Sequence, residues 1–295
     1  MTPRMLEFSK MHGAGNDFIV IDHRDNRLES ILPDIIRNLC DRHFGVGADG
    51  ALLIETSDKP DQANYRMRFY NQDGSEADMC GNAGRCAAQY SFRRGIAGKA
   101  HAFATKSGVY RAEVHTNRLV SLFLPPVAQF CMNQEIVVDG DRIKLHVLDT
   151  GVPHAVIFYP NLLDFSDFFS NSIVDLKKIG RGVRFHPEFE PAGINVDLVG
   201  QPRQGLDGQS IFPIRTYERG VEDETLACGT GIVAASLALH AVRDVPSPIQ
   251  FTTTGRSSLQ TRFLLDKNVY RKIELTGPTK MVFQGKLDLK GISLC

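Results

Sequence analysis

The sequence has no excess of charge of either sign and no apolar stretch long enough to cross a membrane. Lysine plus arginine and aspartate plus glutamate number 34 each, so there is no basic surplus to attract nucleic acid and no acidic tail for a cationic partner. No run approaches the roughly 20 apolar residues of a membrane-spanning helix. The balance therefore favours a small, zwitterionic ligand over nucleic acid or a membrane surface.

Metal-ligand and disulfide patterns are also missing. The opening MTPRMLEFSKMHG lacks the apolar core of a secretory signal, so we expect a cytoplasmic protein whose six cysteines are reduced thiols. Cys80 and Cys86 are six residues apart, and neither a second pair nor His-x-x-x-His accompanies them. The spacing predicts no metal site.

Strands and helices can be read from the hydrophobic pattern, which predicts a mixed α/β fold. Seven apolar runs of strand length are bounded by turn residues: 18–22, 51–55, 65–70, 120–125, 144–150, 154–159 and 212–217. Four helical patterns cover 33–43, 82–94, a segment near 175 and 231–242. The second and fourth of these begin directly after a cysteine.

The surroundings of those two cysteines are alike. FYNQDGSEADMCGNAGRCAAQY begins at Phe69 and TYERGVEDETLACGTGIVAASL at Thr216, and each runs from a strand ending in tyrosine through an acidic loop to Cys-Gly and a helix. The two cysteines, Cys80 and Cys228, are half the chain length apart. The pattern indicates an internal duplication. We expect an N-terminal lobe of residues 1–124 with 276–295, a C-terminal lobe of 125–275, and an active site in the cleft between them.

A cysteine at a helix N-terminus has a defined chemistry. The free backbone N–H groups and the positive end of the helix dipole bind anions and lower a thiol pKa. Two such cysteines facing one ligand place a thiolate base and a thiol acid on opposite sides of a carbon next to a carboxylate. The residues thus predict cofactor-independent racemisation or epimerisation.

A larger set of motifs resembles the diaminopimelate epimerase family. The matching stretches are GNDF (15–18), GADG (47–50), NQDGSEADMCGN (71–82), PH (153–154), NVD (195–197), YERG (217–220) and ACGTG (227–231). The resemblance implies two pseudo-symmetric α/β lobes, each a curled, mostly antiparallel sheet around a central helix. It also implies interconversion of LL- and meso-diaminopimelate, on the route to lysine and peptidoglycan, without a cofactor. We also expect a homodimer.

The same resemblance assigns roles to individual residues. Cys80 and Cys228 would be the catalytic acid/base thiols, with His154 and Glu218 tuning them. The backbone around Gly81, Asn82, Gly229 and Thr230 would hold the α-carboxylate. The far end of the substrate would be recognised by Asn16, Asn71, Asn195, Glu218 and Arg219.

The chain departs from the family pattern at two sets of residues, and its loop from Tyr217 to Cys228 is one residue longer than in some relatives. Ala83-Gly84 follows Cys-Gly-Asn where the family usually has Gly first, and Val152 stands where many members have asparagine. We read Cys86 as a core residue from its periodicity, and Cys40, Cys131 and Cys295 as packing or surface residues.

Other functions remain open at this point. A related proline or hydroxyproline racemase would keep both thiols, but the charged pair Glu218–Arg219 suits a substrate with a distal zwitterion better. A thiol redox protein would cycle Cys80 and Cys228 through a disulfide, yet the sequence has no C-x-x-C. An amino-acid-binding protein would share the cleft without needing two thiols.

Overall fold

The computed structural model describes residues 5–28, 32–115, 118–159, 163–206 and 208–289. Within these residues the α-helices are α1 (Leu32–Cys40), α2 (Gly81–Arg93), α3 (Leu176–Arg184) and α4 (Gly229–Arg243). The strands are β1 (Met5–Gly13), β2 (Asn16–Asp22), β3 (Gly50–Glu55), β4 (Tyr65–Asn71), β5 (Glu76–Ala77), β6 (Ala100–Thr105), β7 (Gly108–Val114), β8 (Leu119–Leu124), β9 (Phe130–Val138), β10 (Asp141–Asp149), β11 (Pro153–Phe158), β12 (Asn195–Val199), β13 (Arg203–Gln204), β14 (Ser210–Glu218), β15 (Asp223–Thr225), β16 (Ile249–Thr252), β17 (Ser258–Asp266) and β18 (Val269–Asp288).

The predicted mixed α/β fold is confirmed. Each of the seven apolar runs coincides with a strand, and each of the four helical patterns with a helix. Among the helices, the largest boundary error is at α1, predicted to reach residue 43 but ending at Cys40. There the Asp41 side chain accepts from the backbone N–H groups of His43 and Phe44 at 2.7 and 2.8 Å, which favours a turn over a further helical turn.

The chain divides into two compact units by its internal contacts. The first unit is Met1–Leu122 with Gly277–Cys295, and the second is Phe123–Thr276. Strand β18 crosses this boundary along the chain. Its first part pairs with β17 of the second unit, and its last part pairs with β1 of the first.

Strand pairing follows the same plan in both units. In the first, β1–β2 is an antiparallel hairpin, β2 is parallel to β3, and β4 is parallel to β6. In the second, β10–β11 is the hairpin, β11 is parallel to β12, and β14 is parallel to β16. The other strand pairs with a defined register are antiparallel.

One helix of each unit is buried on almost every face. Helix α2 contacts β1, β2, β3, β4 and β7, while α4 contacts β9, β10, β11, β12 and β17. The first eleven residues of each helix are buried, apart from Thr230. Alanine, glycine and serine make up 6 of the 13 residues of α2 and 7 of the 15 residues of α4, so strands can approach both helices closely.

A short hairpin leads into each of these helices with the same register. Tyr70 of β4 pairs with Glu76 of β5, and Tyr217 of β14 pairs with Glu224 of β15. In both hairpins the glutamate precedes the cysteine by four residues. The second loop has one more residue than the first because its turn, between the tyrosine and the glutamate, is longer.

An arginine supports each hairpin from inside its unit. Arg68 donates to both carboxylate oxygens of Glu76 at 3.3 and 3.0 Å. Arg215 donates to both oxygens of Glu224 at 2.8 and 2.6 Å. These bidentate ion pairs hold the two strands of each hairpin in place, and each cysteine follows its hairpin in the sequence.

No helix among the described residues is long and apolar enough to span a membrane.

Candidate active site

Each of the two predicted thiols stands at the start of a buried helix. Cys80 is the N-cap of α2, with φ −132° and ψ 128°, and Cys228 is the N-cap of α4, with φ −114° and ψ 115°. Neither first turn carries an acidic residue, and neither N-cap side chain occupies the helix N–H groups. The first N–H groups of a helix have no acceptor within the helix. Both helix starts are therefore suited to bind a carboxylate.

The expectation of a lowered thiol pKa is wrong for Cys228. Burial raises the pKa of the Cys228 thiol well above its usual value, and the negative charges of Glu218 and Asp197 raise it further. The Thr230 hydroxyl and the nearby Gly231 backbone N–H act in the opposite direction. Loss of hydration outweighs the helix N-terminus here because only 8% of the residue is exposed.

A hydrogen-bonded chain leads from Cys228 to a buried carboxylate. Cys228 Sγ lies 3.4 Å from Thr230 Oγ1, which lies 2.9 Å from His154 Nε2. His154 Nδ1 lies 2.7 Å from Asp197 Oδ2, and both of these side chains are fully buried. The other Asp197 oxygen accepts from the Thr216 hydroxyl at 2.7 Å. His154 thus contacts the cysteine through Thr230.

Amide side chains surround Cys80 in the first unit. The Cys80 thiol donates to Asn16 Oδ1 at 3.7 Å, and Asn82 Nδ2 donates to the same oxygen at 3.3 Å. Asn16 Nδ2 donates to Asp49 Oδ2 at 2.7 Å, which fixes the orientation of the amide. Asn16, Asn82 and Cys80, all predicted site residues, are therefore brought together.

A buried cation lies one turn further along α2. Arg85 is fully buried and donates through Nη2 to Asn82 Oδ1 at 2.5 Å. Its Nε and Nη1 have no hydrogen-bond partner among the described residues. Burial lowers the pKa of the Arg85 guanidinium, while charge interactions with Cys86 and Cys80 raise it. A positive charge is thus held beneath the Cys80 helix start.

Asn195 organises the backbone next to Glu218. Its Nδ2 donates to the Pro153 carbonyl at 3.1 Å, and its Oδ1 accepts from the Arg219 backbone N–H at 2.8 Å. Asn195 pairs directly with His154 across the parallel strands β11 and β12. The Arg219 side chain is half-buried and reaches the Ala192 carbonyl at 3.3 Å. Asn195, Glu218 and Arg219 therefore meet at one end of the second unit's sheet.

Asn71 has a clear local role. Its Nδ2 donates to Ser75 Oγ at 3.0 Å, and its backbone N–H donates to the Ser75 carbonyl at 2.9 Å. Asn71 is exposed and closes the β4–β5 turn.

The two departures from the family pattern are accommodated. Ala83 is buried inside the regular first turn of α2. The Val152 carbonyl accepts from the Thr150 backbone N–H at 3.2 Å, closing the turn before β11.

The other cysteines lie away from these helix starts. Cys40 and Cys86 are buried, and burial raises the pKa of each thiol to about 12. Cys131 is exposed, and Cys295 lies outside the described residues. The predicted core position of Cys86 is confirmed. No group of three or more His, Cys, Asp or Glu side chains in the described part of the chain is arranged to hold a metal ion.

Comparison with known proteins bears out the resemblance. Residues 8–122 match the family model described as diaminopimelate epimerase. The chain is 40% identical over 292 residues to diaminopimelate epimerase of Aquifex aeolicus (strain VF5), covering 96% of this chain and 98% of that one. It is 38% identical to diaminopimelate epimerase of Hydrogenobaculum sp. (strain Y04AAS1), with coverage of 95% and 98%. The chain belongs to the diaminopimelate epimerase family.

The fold is also found in a solved structure outside this family. A probable proline racemase from Agrobacterium radiobacter K84 matches with a TM-score of 0.67 over 96% of this chain and 93% of that one, at 16% identity. That likeness shows the fold alone, whereas the full-length sequence match places the chain among the diaminopimelate epimerases.

Sequence reasoning missed three charged residues of this epimerase-family site: Asp49, Arg85 and Asp197. Asp49 and Asp197 lie inside the motifs GADG and NVD, and Arg85 follows Cys-Gly-Asn by three residues. Their positions in or beside these motifs were the only indication in the sequence that they belong to the site. Their role depends on which side chains the strand pairing brings against them, and the motifs alone do not give that.

Proposed function

We propose that this protein interconverts LL- and meso-diaminopimelate by moving a proton at one α-carbon. The observation that carries the proposal is that a cysteine forms the N-cap of a buried helix twice in one chain. The full-length similarity to diaminopimelate epimerases supports the choice of substrate. An isomerase of the racemase and epimerase class follows from both.

Cys80 and Cys228 are the two acid/base groups of this proposal. One acts as a thiolate and removes the α-proton from one face of the substrate, while the other acts as a thiol and donates a proton to the opposite face. The electron pair left on the α-carbon delocalises into the carboxylate as an enolate. Each turnover exchanges the states of the two thiols, and no oxidant, metal or organic cofactor enters the balance.

Stabilisation of the enolate falls to the helix starts. We assign the α-carboxylate to the backbone N–H groups around Gly81, Asn82, Gly229 and Thr230. Such donors are fixed before the reaction and interact more strongly as charge develops on the carboxylate oxygens. The absence of acidic residues from both first turns supports this assignment.

Recognition of the distal amino-acid group belongs to residues on strand ends and turns. We assign it to Asn16, Asn71, Asn195, Glu218 and Arg219. A distal zwitterion needs an acceptor for its ammonium and a donor fork for its carboxylate, and Glu218 and Arg219 provide one of each. Proline has no distal charge, so this set favours diaminopimelate over the proline-type substrates.

Two residues adjust the protonation of the thiols in this scheme. Glu218 acts on Cys228 through its negative charge, and His154 acts through Thr230. These contacts support the tuning role assigned to both residues.

The test follows the substrate α-proton by NMR. Reduced protein is incubated with LL-diaminopimelate in D2O beside Cys80→Ala, Cys228→Ala and, as a matched control, Cys131→Ala at an exposed position. We expect the α-proton signal to disappear and the meso isomer to accumulate with wild type and the control, and neither alanine variant to turn over. A persistent wild-type signal rejects the diaminopimelate assignment, and the same assay with proline and hydroxyproline then tests the racemase alternative.

We further propose a cytoplasmic homodimer. The supply of lysine and peptidoglycan precursors implied by the family supports the cytoplasm. Exposed apolar side chains on β18, Val282 and Phe283, support self-association. Cell fractionation and sedimentation equilibrium test the two statements separately.

A further inference from the structure

Four side chains of the second unit form a continuous hydrogen-bonded chain. Cys228, Thr230, His154 and Asp197 are joined by contacts of 3.4, 2.9 and 2.7 Å. They come from the start of α4 and from the neighbouring parallel strands β11 and β12. Gly231 leaves space for these hydrogen-bonded side chains, because a Cβ at that position would overlap the Asp197 carboxylate.

The donors and acceptors along the chain allow two arrangements. An ionised Asp197 carboxylate only accepts, so His154 Nδ1 carries a proton in both. In the first arrangement Thr230 donates to His154 Nε2, and the Cys228 thiol donates to Thr230. In the second, His154 Nε2–H donates to Thr230, and the Thr230 hydroxyl donates to a Cys228 thiolate.

The two arrangements differ by two short proton transfers. One proton moves from Cys228 Sγ to Thr230 Oγ1, while the Thr230 hydroxyl proton moves to His154 Nε2. The S–H bond breaks, an N–H bond forms, and Thr230 ends as a hydroxyl. A neutral thiol and imidazole thereby become a thiolate and an imidazolium, with no proton released to solvent.

We propose that Thr230 is a positioning residue that relays a proton between Cys228 and His154, with Asp197 holding the imidazole in the orientation the relay requires. This inference builds on the proposed function, in which Cys228 is one of two acid/base thiols. It gives the Thr230 hydroxyl a role separate from that of its backbone N–H. The relay lets Cys228 become a thiolate despite its burial.

The charges facing this group act in opposite directions. Asp197 Oδ2 on β12 lies 2.7 Å from His154 Nδ1, so its negative charge would stabilise an imidazolium formed by the relay. The negative charges of Asp197 and of Glu218 on β14 oppose a thiolate at Cys228. The Gly231 backbone N–H, at the start of α4, favours the thiolate. An imidazolium on β11 therefore offsets the acidic surroundings of the sulfur.

The test measures the reactivity of Cys228 without substrate. Iodoacetamide alkylation rates are followed against pH by peptide mass spectrometry, so that Cys228 is read separately from the other thiols. If Cys228 forms a thiolate–imidazolium pair, a plot of its alkylation rate against pH has a shoulder, that is, a first rise at a pH below that at which an isolated buried thiol ionises. We expect this shoulder in wild type and in Thr230→Ser, which keeps the hydroxyl.

Thr230→Val keeps the shape of the side chain and removes the hydroxyl. We expect it to lose the shoulder and to lower the Cys228 alkylation rate at pH 7 by about tenfold or more. His154→Gln should have the same effect, and the double variant should be no slower than either single one, because both changes interrupt one chain. A retained shoulder in Thr230→Val, or effects that multiply in the double variant, overturns the relay.

A second measurement on wild type guards against misfolding of a variant. Histidine labelled with ¹⁵N reports the protonation of His154, assigned by comparison with His154→Gln. Blocking Cys228 with a neutral methylthio group must change the His154 titration if the two groups share a proton, and an unchanged titration overturns the proposal. Neither measurement uses diaminopimelate. Failure of the D2O assay therefore rejects the proposed function, whereas the relay is rejected only by the alkylation or the histidine measurements.

Discussion

The surroundings of Cys80 and Cys228 share one framework and differ in the groups placed on it. In each unit a carboxylate fixes a side chain at the start of a strand, and that side chain meets the residue two positions after the cysteine. In the first unit the three are Asp49, Asn16 and Asn82. In the second they are Asp197, His154 and Thr230.

The difference lies in what these groups can do with a proton. An amide such as Asn16 orients the Cys80 thiol and keeps its own protons, whereas the imidazole of His154 has a ring nitrogen that can accept a proton and another that can donate one. The charges diverge as well, because the buried Arg85 cation acts on Cys80 while Glu218 and Asp197 act on Cys228. A duplicated scaffold has thus been given two chemically distinct thiols.

The largest effect is expected when His154 is replaced by asparagine, the residue that Asn16 provides at the equivalent position of the first unit. We expect His154→Asn to reduce turnover by about 10²–10⁴-fold, the usual contribution of an acid/base group. The reason is that Cys228 loses its proton acceptor and Asp197 loses the imidazole, one of its two buried hydrogen-bond partners. Diaminopimelate turnover over a range of pH checks this. His146→Asn, a change at another buried histidine of the same unit, is the control, and an unaffected rate for His154→Asn contradicts the assignment.

The arginines behind the two hairpins should differ in their contribution to stability. Arg215 has a fully buried side chain, whereas Arg68 is 14% exposed. Arg215→Gln should lower the free energy of unfolding by about 3–5 kcal/mol because Glu224 is left as an unpaired buried charge. Arg68→Gln should cost less, since water reaches Glu76 more easily. Urea unfolding of both variants provides the comparison, and equal losses contradict it.

The third position of each helix start separates the two units in another way. The second unit has Gly231 where the first has Ala83. Gly231→Ala forces a Cβ against the Asp197 carboxylate and should lower the free energy of unfolding by about 1–3 kcal/mol. Ala83→Gly should cost only about 0.5–1 kcal/mol, from the greater backbone freedom of glycine. Thermal unfolding of the two variants gives the answer, and a larger loss for Ala83→Gly would speak against the close packing at Gly231.

The smallest expected effect concerns the charge of Glu218. Its negative charge raises the pKa of Cys228, so Glu218→Gln should lower that pKa. The sign follows because removal of an anion favours the thiolate over the thiol. Alkylation of Cys228 should then begin at lower pH than in wild type. A shift to higher pH would show that the carboxylate does not act through its charge.

Local patterns were enough to predict the elements and the two thiols. Tyrosine, an acidic loop, Cys-Gly and a small-residue helix recur in sequence, and their order fixes Cys80 and Cys228 as N-caps. The contact between His154 and Asp197 depends on the parallel register of β11 and β12, which no local pattern specifies. The predicted direction of the Cys228 pKa shift was wrong because the pKa of this thiol depends on its burial by residues distant in sequence, which is a property of the tertiary structure. Arg85 escaped notice because a helical arginine is ordinarily exposed.

The pairing of β18 with β1 has a consequence for how the chain is made. Ser9 in β1 accepts a hydrogen bond from Gln284 in β18, two residues separated by 275 positions. A ribosome must therefore synthesise the chain as far as Gln284 before Ser9 can acquire this neighbour. The residues of the second unit emerge together as one continuous stretch, so we expect that unit to fold before β1 and β18 can pair.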